Sequence, residues 1–386
     1  MEEQSLNLSS ITKELTLLLE ILKIEQEDNI VSFQSELFTH VDWDSFLQLA
    51  IHHRVYPVIY PKIKKLEDNR IPTYVIQTLY KEYKQNTFDM LHLSREMELV
   101  SKLFNENQIP LLFLKGPVIG AELYGDISLR TSKDLDMLIP MASLEKVEKA
   151  LLSIGYIKDV VPNLLNDWKL RNHHIVYFHP QKNIQLEIHW RLQPLPMKEP
   201  KFNDLWERKR VSNITSYPTY FLGKDDLFLY LVSHGARHGW FRLRWLLDID
   251  KIIRKGINVK KINLIQIKYK NKHLVGQAIL LSSQLLNTPI NKDIQVLMAQ
   301  NRSKKLAQKA ICFIKETNSL DNIMSTTYYK VYLFSLKSIL QKFLSILILF
   351  YPRIADAKTL NLPKTFQFLY FPLRPFLWVW RQLTKP

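Results

Sequence analysis

Apolar positions recur at helical spacing through the first hundred residues. Leu15, Leu18, Leu19 and Leu22 fall three or four apart, as do Phe46, Leu49 and Ala50, so each set predicts one buried face of a helix. Asp42 and Asp44 stand just ahead of the second set. A short carboxylate there can accept from the unpaired amides of a first turn, so both are candidate N-caps. His52 and His53 fall near the end of that helix, where a surface or capping role is expected. A long amphipathic helix is predicted from Pro72 to Asn107.

The pattern changes at Ile109. Residues 111–114 (LLFL) form an apolar run too short for a helix, which predicts a buried strand ending at Lys115-Gly116. Pro117 then suits the first position of a helix. After a polar turn at Gly125-Asp126, residues 134–139 predict a second strand. The stretch MASLEKVEKALLSIGY predicts an amphipathic helix capped by Ser143. HHIVYFH and IQLEIHWRL predict two further strands, joined by turn residues Pro180 to Asn183. Past Pro194 and Pro196 the chain reads as helical to its end. The order β-α-β-α-β-β predicts an α+β fold with a small mixed sheet. The expected division is a helical region over 1–108, an α/β core over 109–195 and a helical C-terminal region over 196–386.

Within that core, Asp134 and Asp136 are two apart on a strand, so both carboxylates face one side. Two adjacent carboxylates repel unless a cation neutralises them, and hard oxygen ligands of this kind suit Mg²⁺ with substrate phosphates. A D-x-D alone is a weak signal. Lys115-Gly116 ahead of a helix strengthens it, because a helix N-terminus beside the carboxylates favours phosphate. Arg130, Ser132 and Lys133 precede the acids and are candidate triphosphate contacts. A two-metal site needs a third carboxylate. Glu187 is the candidate, since alternation puts Glu187, His189 and Arg191 on one face, and a mid-strand glutamate is otherwise poorly placed. His234 and His238 share a helix face, but without the glutamate of H-E-x-x-H they point to packing or a pocket lining rather than zinc.

The ordered set LKG, LYGD, LR, KDLDMLI and LEIHWRL resembles the uncharacterised bacterial nucleotidyltransferase family of the polymerase-β-like superfamily. The helical stretch LVSHGARHGWFRLRWLLDID and the leading LAIHHRVYPVIYPKI are similar to that family as well, so the resemblance covers most of residues 40–250. It implies transfer of a nucleoside monophosphate from an NTP with release of pyrophosphate. Asp134 and Asp136 correspond to the family's D-x-D, and Glu187 to the acid before its H-W pair. The chain departs from the superfamily at Gly116-Pro117, where a glycine-serine pair is usual. Backbone amides, Lys115 or Ser132 must then replace the missing hydroxyl. The acceptor stays open among a small hydroxyl compound, a peptide, a sugar and an RNA end, as does the choice among ATP, GTP, CTP and UTP. A catalytically silent nucleotide- or polyanion-binding protein and a tRNA-directed transferase are the alternatives.

Charge adds one asymmetry. Residues 251–386 carry 23 Lys or Arg against four acids, whereas residues 1–250 carry 30 against 33. That basic final third favours an anionic partner or is a set of solvated helix faces. Its end, FQFLYFPLRPFLWVWRQLTKP, places seven aromatic residues between Phe366 and Trp380. Such a segment can lie on a membrane surface or fill a partner's groove, but packing back onto its own domain is the expected arrangement. The longest apolar run, Phe343 to Tyr351, falls far short of the ~20 residues of a membrane-spanning helix. A single cysteine, Cys312, and a polar, acidic N-terminus fit a cytoplasmic protein.

Overall fold

A computed structural model describes residues 5–24, 35–66, 70–159, 163–298, 301–317 and 320–384. Four helices lead: α1 (Lys13–Lys23), α2 (Trp43–His52), α3 (Tyr56–Leu66) and the long α4 (Thr73–Glu106). Asp42 is the N-cap of α2, its carboxylate accepting from the amides of Asp44 and Ser45 at 3.1 Å each. The chain then enters the sheet as β1 (Leu112–Phe113), followed by α5 (Pro117–Tyr124) and β2 (Asp134–Leu138). Next come α6 (Leu144–Ser153), β3 (Ile157–Lys158), the short α7 (Trp168–Arg171), and the hairpin of β4 (His174–His179) and β5 (Ile184–His189). Ser143 precedes α6 as foreseen, but it is in helical conformation and its hydroxyl caps nothing.

The sheet order is β3-β4-β5-β2-β1-β7-β6, mixed in direction, and the fold is α+β. Its last two members were not foreseen. After α8 (Phe202–Glu207) the chain makes β6 (Arg210–Ser212) and β7 (Thr219–Phe221), and β7 pairs parallel to β1 at Phe113–Phe221. The stretch past Pro196 is therefore not helical throughout. Runs of two or three residues show no alternation to read, and β1 needs a neighbour on its free edge.

Helices complete the molecule: α9 (Lys224–Arg237), α10 (Leu243–Arg254), α11 (Val259–Tyr269), α12 (Lys272–Leu286), α13 (Lys292–Met298), α14 (Asn301–Ile314), α15 (Leu320–Ser325), α16 (Thr327–Ser335), α17 (Ile339–Leu349), α18 (Ile354–Thr359) and α19 (Tyr370–Leu383). One hydrophobic core runs from Leu6 through the sheet to Leu336. Helix α9 is buried along almost its whole length. Gly235 makes this possible, because a Cβ there would overlap the ring of the fully buried Trp240. No helix among the described residues is long and apolar enough to cross a membrane. The terminal aromatic segment packs back through Tyr370 and Arg374 of α19, but only in part, since Phe376 and Trp380 are 72% and 63% exposed.

Candidate active site

Strands β2 and β5 run side by side in parallel, with Asp134 opposite Gln185 and Asp136 opposite Glu187. The pleat puts Leu135, Met137, Leu186 and Ile188 into the core, leaving the acids on the other face. Carboxylate oxygens of Asp136 and Glu187 and a ring nitrogen of His189 all lie within 4.8 Å of one another. His189 Nε2 stands 3.3 Å from Asp136 Oδ1 and 3.3 Å from Glu187 Oε2. Lys115, from the turn after β1, brings its Nζ to 2.9 Å from Asp136 Oδ1. That turn passes through Gly116 at φ +94°, a conformation only glycine takes without strain. Pro117 opens α5 behind it, as its fixed φ favours.

The two aspartates titrate apart. Burial and the charge of Asp136 push Asp134 up to about 6, against a smaller opposing pull from Lys115. Burial also works against ionised Asp136, but Lys115 and His189 outweigh it and hold that carboxyl well below the usual range. At His189 burial disfavours the imidazolium, and Asp136 and Glu187 together overcome it, raising the pKa.

Arg130, expected among the phosphate contacts, is 1% exposed and turned the other way. Its Nε and Nη2 donate to Asp248 of α10 at 3.0 and 2.9 Å, and Tyr124 Oη donates to the same carboxylate at 2.9 Å. Ser132 donates its hydroxyl to the carbonyl of Asp134 at 3.0 Å, which shapes the approach to β2. Lys133 is exposed, and the charges of Arg54 and Arg242 lower its pKa, with burial adding to this. Arg242 and Arg244 reach this corner because their segment is laced to the end of α2. Arg242 Nη1 donates to the carbonyl of His52, the amide of Arg244 to the carbonyl of His53 at 3.3 Å, and Arg244 Nη1 to Thr131. His53 is thus wholly buried rather than on the surface.

The sequence profile of a family described as uncharacterised nucleotidyltransferase matches residues 39–287, more than half of the chain. The chain belongs to that family. A comparison with curated proteins finds no match. The matched stretch runs from just before α2 to the end of α12 and holds every residue of the site. The nucleotidyltransferase is accordingly a transferase of phosphorus-containing groups.

Its carboxylate cluster fits a divalent cation. Asp136 is wholly buried, yet no backbone amide or hydroxyl among the described residues donates to either of its oxygens. A buried carboxylate normally collects such donors. Here the ammonium of Lys115 and the imidazole of His189 face it, which leaves its two hard oxygens beside the second carboxylate of the cluster, Glu187.

Sequence reasoning missed several neighbours of the candidate site. His174 Nε2 lies 3.9 Å from Glu187 Oε2, and burial together with His189 lowers its pKa to about 4. His173 accepts from Arg237 Nη1 at 2.9 Å through its Nε2, burial keeping the ring neutral. Both histidines line a cavity of about 1150 Å³ that also takes in Trp168, Arg171 and Lys158. The register of β4 against β5, His174 opposite His189, is the signal that would have found them. His234 and His238 pack against Trp245 with ring centroids 5.3 and 5.2 Å away. Burial and the charges of Lys115 and Arg237 keep both neutral, so they back the site as packing groups.

Proposed function

We propose that this nucleotidyltransferase moves a nucleoside monophosphate from an NTP onto an acceptor hydroxyl, with Asp134, Asp136 and Glu187 as its catalytic carboxylates and Mg²⁺ as their ion. The carrying observation is buried Asp136, ionised and without hydrogen-bond donors of the ordinary kind, in register with Glu187. Mg²⁺ held by the three acids would neutralise the triphosphate and acidify the acceptor hydroxyl.

The chain's own groups do the rest. Lys115, Lys133, Arg54 and Arg242 give the aspartate side of the site its positive charge, suited to a triphosphate. The amide of Val118 at the start of α5 replaces the usual serine hydroxyl, since Pro117 has none and those of Ile119 and Gly120 donate to the carbonyl of Gly116. Glu187 lies on the side of His174 and the large cavity, which makes that cavity the acceptor side. There the acceptor oxygen bonds to the α-phosphorus in line, the bond to the β-phosphate oxygen breaks, pyrophosphate leaves, and Glu187 takes the hydroxyl proton. Arg130 and Ser132 belong to the scaffold of the site rather than to the phosphates.

Incubating the protein with Mg²⁺, mixed NTPs and cell extract should yield a nucleotidyl adduct visible by mass spectrometry, with pyrophosphate released in equal amount. Asp136→Asn should lower that yield by at least about a hundredfold while leaving the circular dichroism unchanged. Turnover by Asp136→Ala at the wild-type rate would disprove the assignment.

A further inference from the structure

The last fifty described residues are built inside out. Helices α17, α18 and α19 surround an ionic centre in which buried Asp356 accepts from Arg374 Nη1 at 2.5 Å and from Arg381 Nη2 at 2.7 Å. The amide of Arg353 adds a third bond at 2.8 Å, and Arg374 Nε reaches the carbonyl of Leu349. In α17 the one fully buried residue is Gln341, at 4% exposure, while Ile339 is 87% exposed. Ile339, Phe343, Ile346 and Phe350 recur at helical spacing and form one exposed apolar stripe. Phe376, Val379, Trp380 and Leu383 do the same on α19, whose buried positions are Tyr370 and Arg374. None of these residues joins the hydrophobic core, which ends at Leu336.

A surface of this size and polarity is expected only where something other than water covers it. Charge selects what. Residues 337–384 carry seven Lys or Arg; Arg374 and Arg381 meet their one acid, Asp356, at the centre, which leaves five cations beyond it. A second copy of this chain would bring like charge against like, whereas an anionic lipid surface complements it. At 11 and 14 residues, α17 and α19 are too short to span a bilayer, and their apolar stripes with indole rings suit the interfacial plane.

We propose that α17–α19 dock this protein onto an anionic membrane surface, with the Phe343 and Trp380 faces inserted among the lipids. The test is co-sedimentation of the full chain with sucrose-loaded vesicles, either phosphatidylcholine alone or phosphatidylcholine and phosphatidylglycerol in equal parts. The wild type should partition at least about tenfold more strongly onto the phosphatidylglycerol vesicles, and added salt should weaken this. Phe376→Glu/Trp380→Glu, which alters only exposed positions, should lower binding at least about tenfold with unchanged near-ultraviolet circular dichroism. Lys342→Glu/Lys364→Glu should remove the preference for phosphatidylglycerol. Absence of wild-type binding at low salt, or binding indifferent to both double variants, overturns the proposal. So does light scattering that shows a dimer dissolved by Phe376→Glu/Trp380→Glu, or retention of bulk tRNA in place of vesicles.

Discussion

Asp134 and Asp136 share a strand face but not a protonation state. The proton that burial and its neighbour keep on Asp134 up to about pH 6 competes with any cation for that carboxylate. The sign follows from the raised value: folding takes up this proton, so acid favours the protonated, cation-free site, and cation affinity grows as pH rises. Mg²⁺ affinity measured by isothermal calorimetry should climb by up to about tenfold per pH unit below pH 6 and level off above it. Asp134→Asn should flatten that climb; an unchanged slope in the variant would place the titrating group elsewhere. At this scale the two aspartates and Glu187 were legible, because alternation along a strand fixes which side chains share a face. The fate of Arg130 was not. Its partner Asp248 lies 118 residues further along the chain, and only the fold brings them together.

That pair is also what joins elements. Arg130 follows the turn after α5, Asp248 belongs to α10, and Tyr124 closes α5 onto the same carboxylate. Removing one partner leaves a buried charge alone, so Asp248→Ala should cost about 3–5 kcal/mol of unfolding free energy, measurable by urea denaturation. A loss under about 1 kcal/mol would mean that water reaches the guanidinium and the clamp is dispensable. Long elements such as α4 were readable from sequence because many apolar positions repeat their period. The hairpin β6–β7 was not, since its strands owe their existence to the open edge of β1 rather than to their own pattern. Capping was legible where a carboxylate had amides to reach, as at Asp42, and misleading at Ser143, which already lies in a helical turn.

For the molecule as a whole, the core stops at Leu336 and the family match stops at residue 287. Deleting residues 337–386 should therefore shift the thermal midpoint by no more than about 4 °C and raise solubility, as read by circular dichroism and light scattering. A larger drop would show that the bonds from Arg171 to the carbonyls of Tyr351 and Pro352, and from Arg302 to that of Lys337, hold the body together. The basic bias of this region was plain in the sequence, but its apolar exterior was not. Helical periodicity shows that a face is apolar without telling which way it looks. At the opposite end of the chain, Leu6 and Asn7 bond through their amides to the side chains of Gln284 and Gln308, and α1 packs on α12. A ribosome makes α1 long before these late partners, though α2 and α3, which also pack on it, follow directly. At about 5–20 residues per second, the nascent α1 waits on the order of tens of seconds before Gln308 is even synthesised. Until then α2 and α3 are the neighbours open to its leucine-rich face, and the seam between α1 and α12 cannot close before α12 is synthesised.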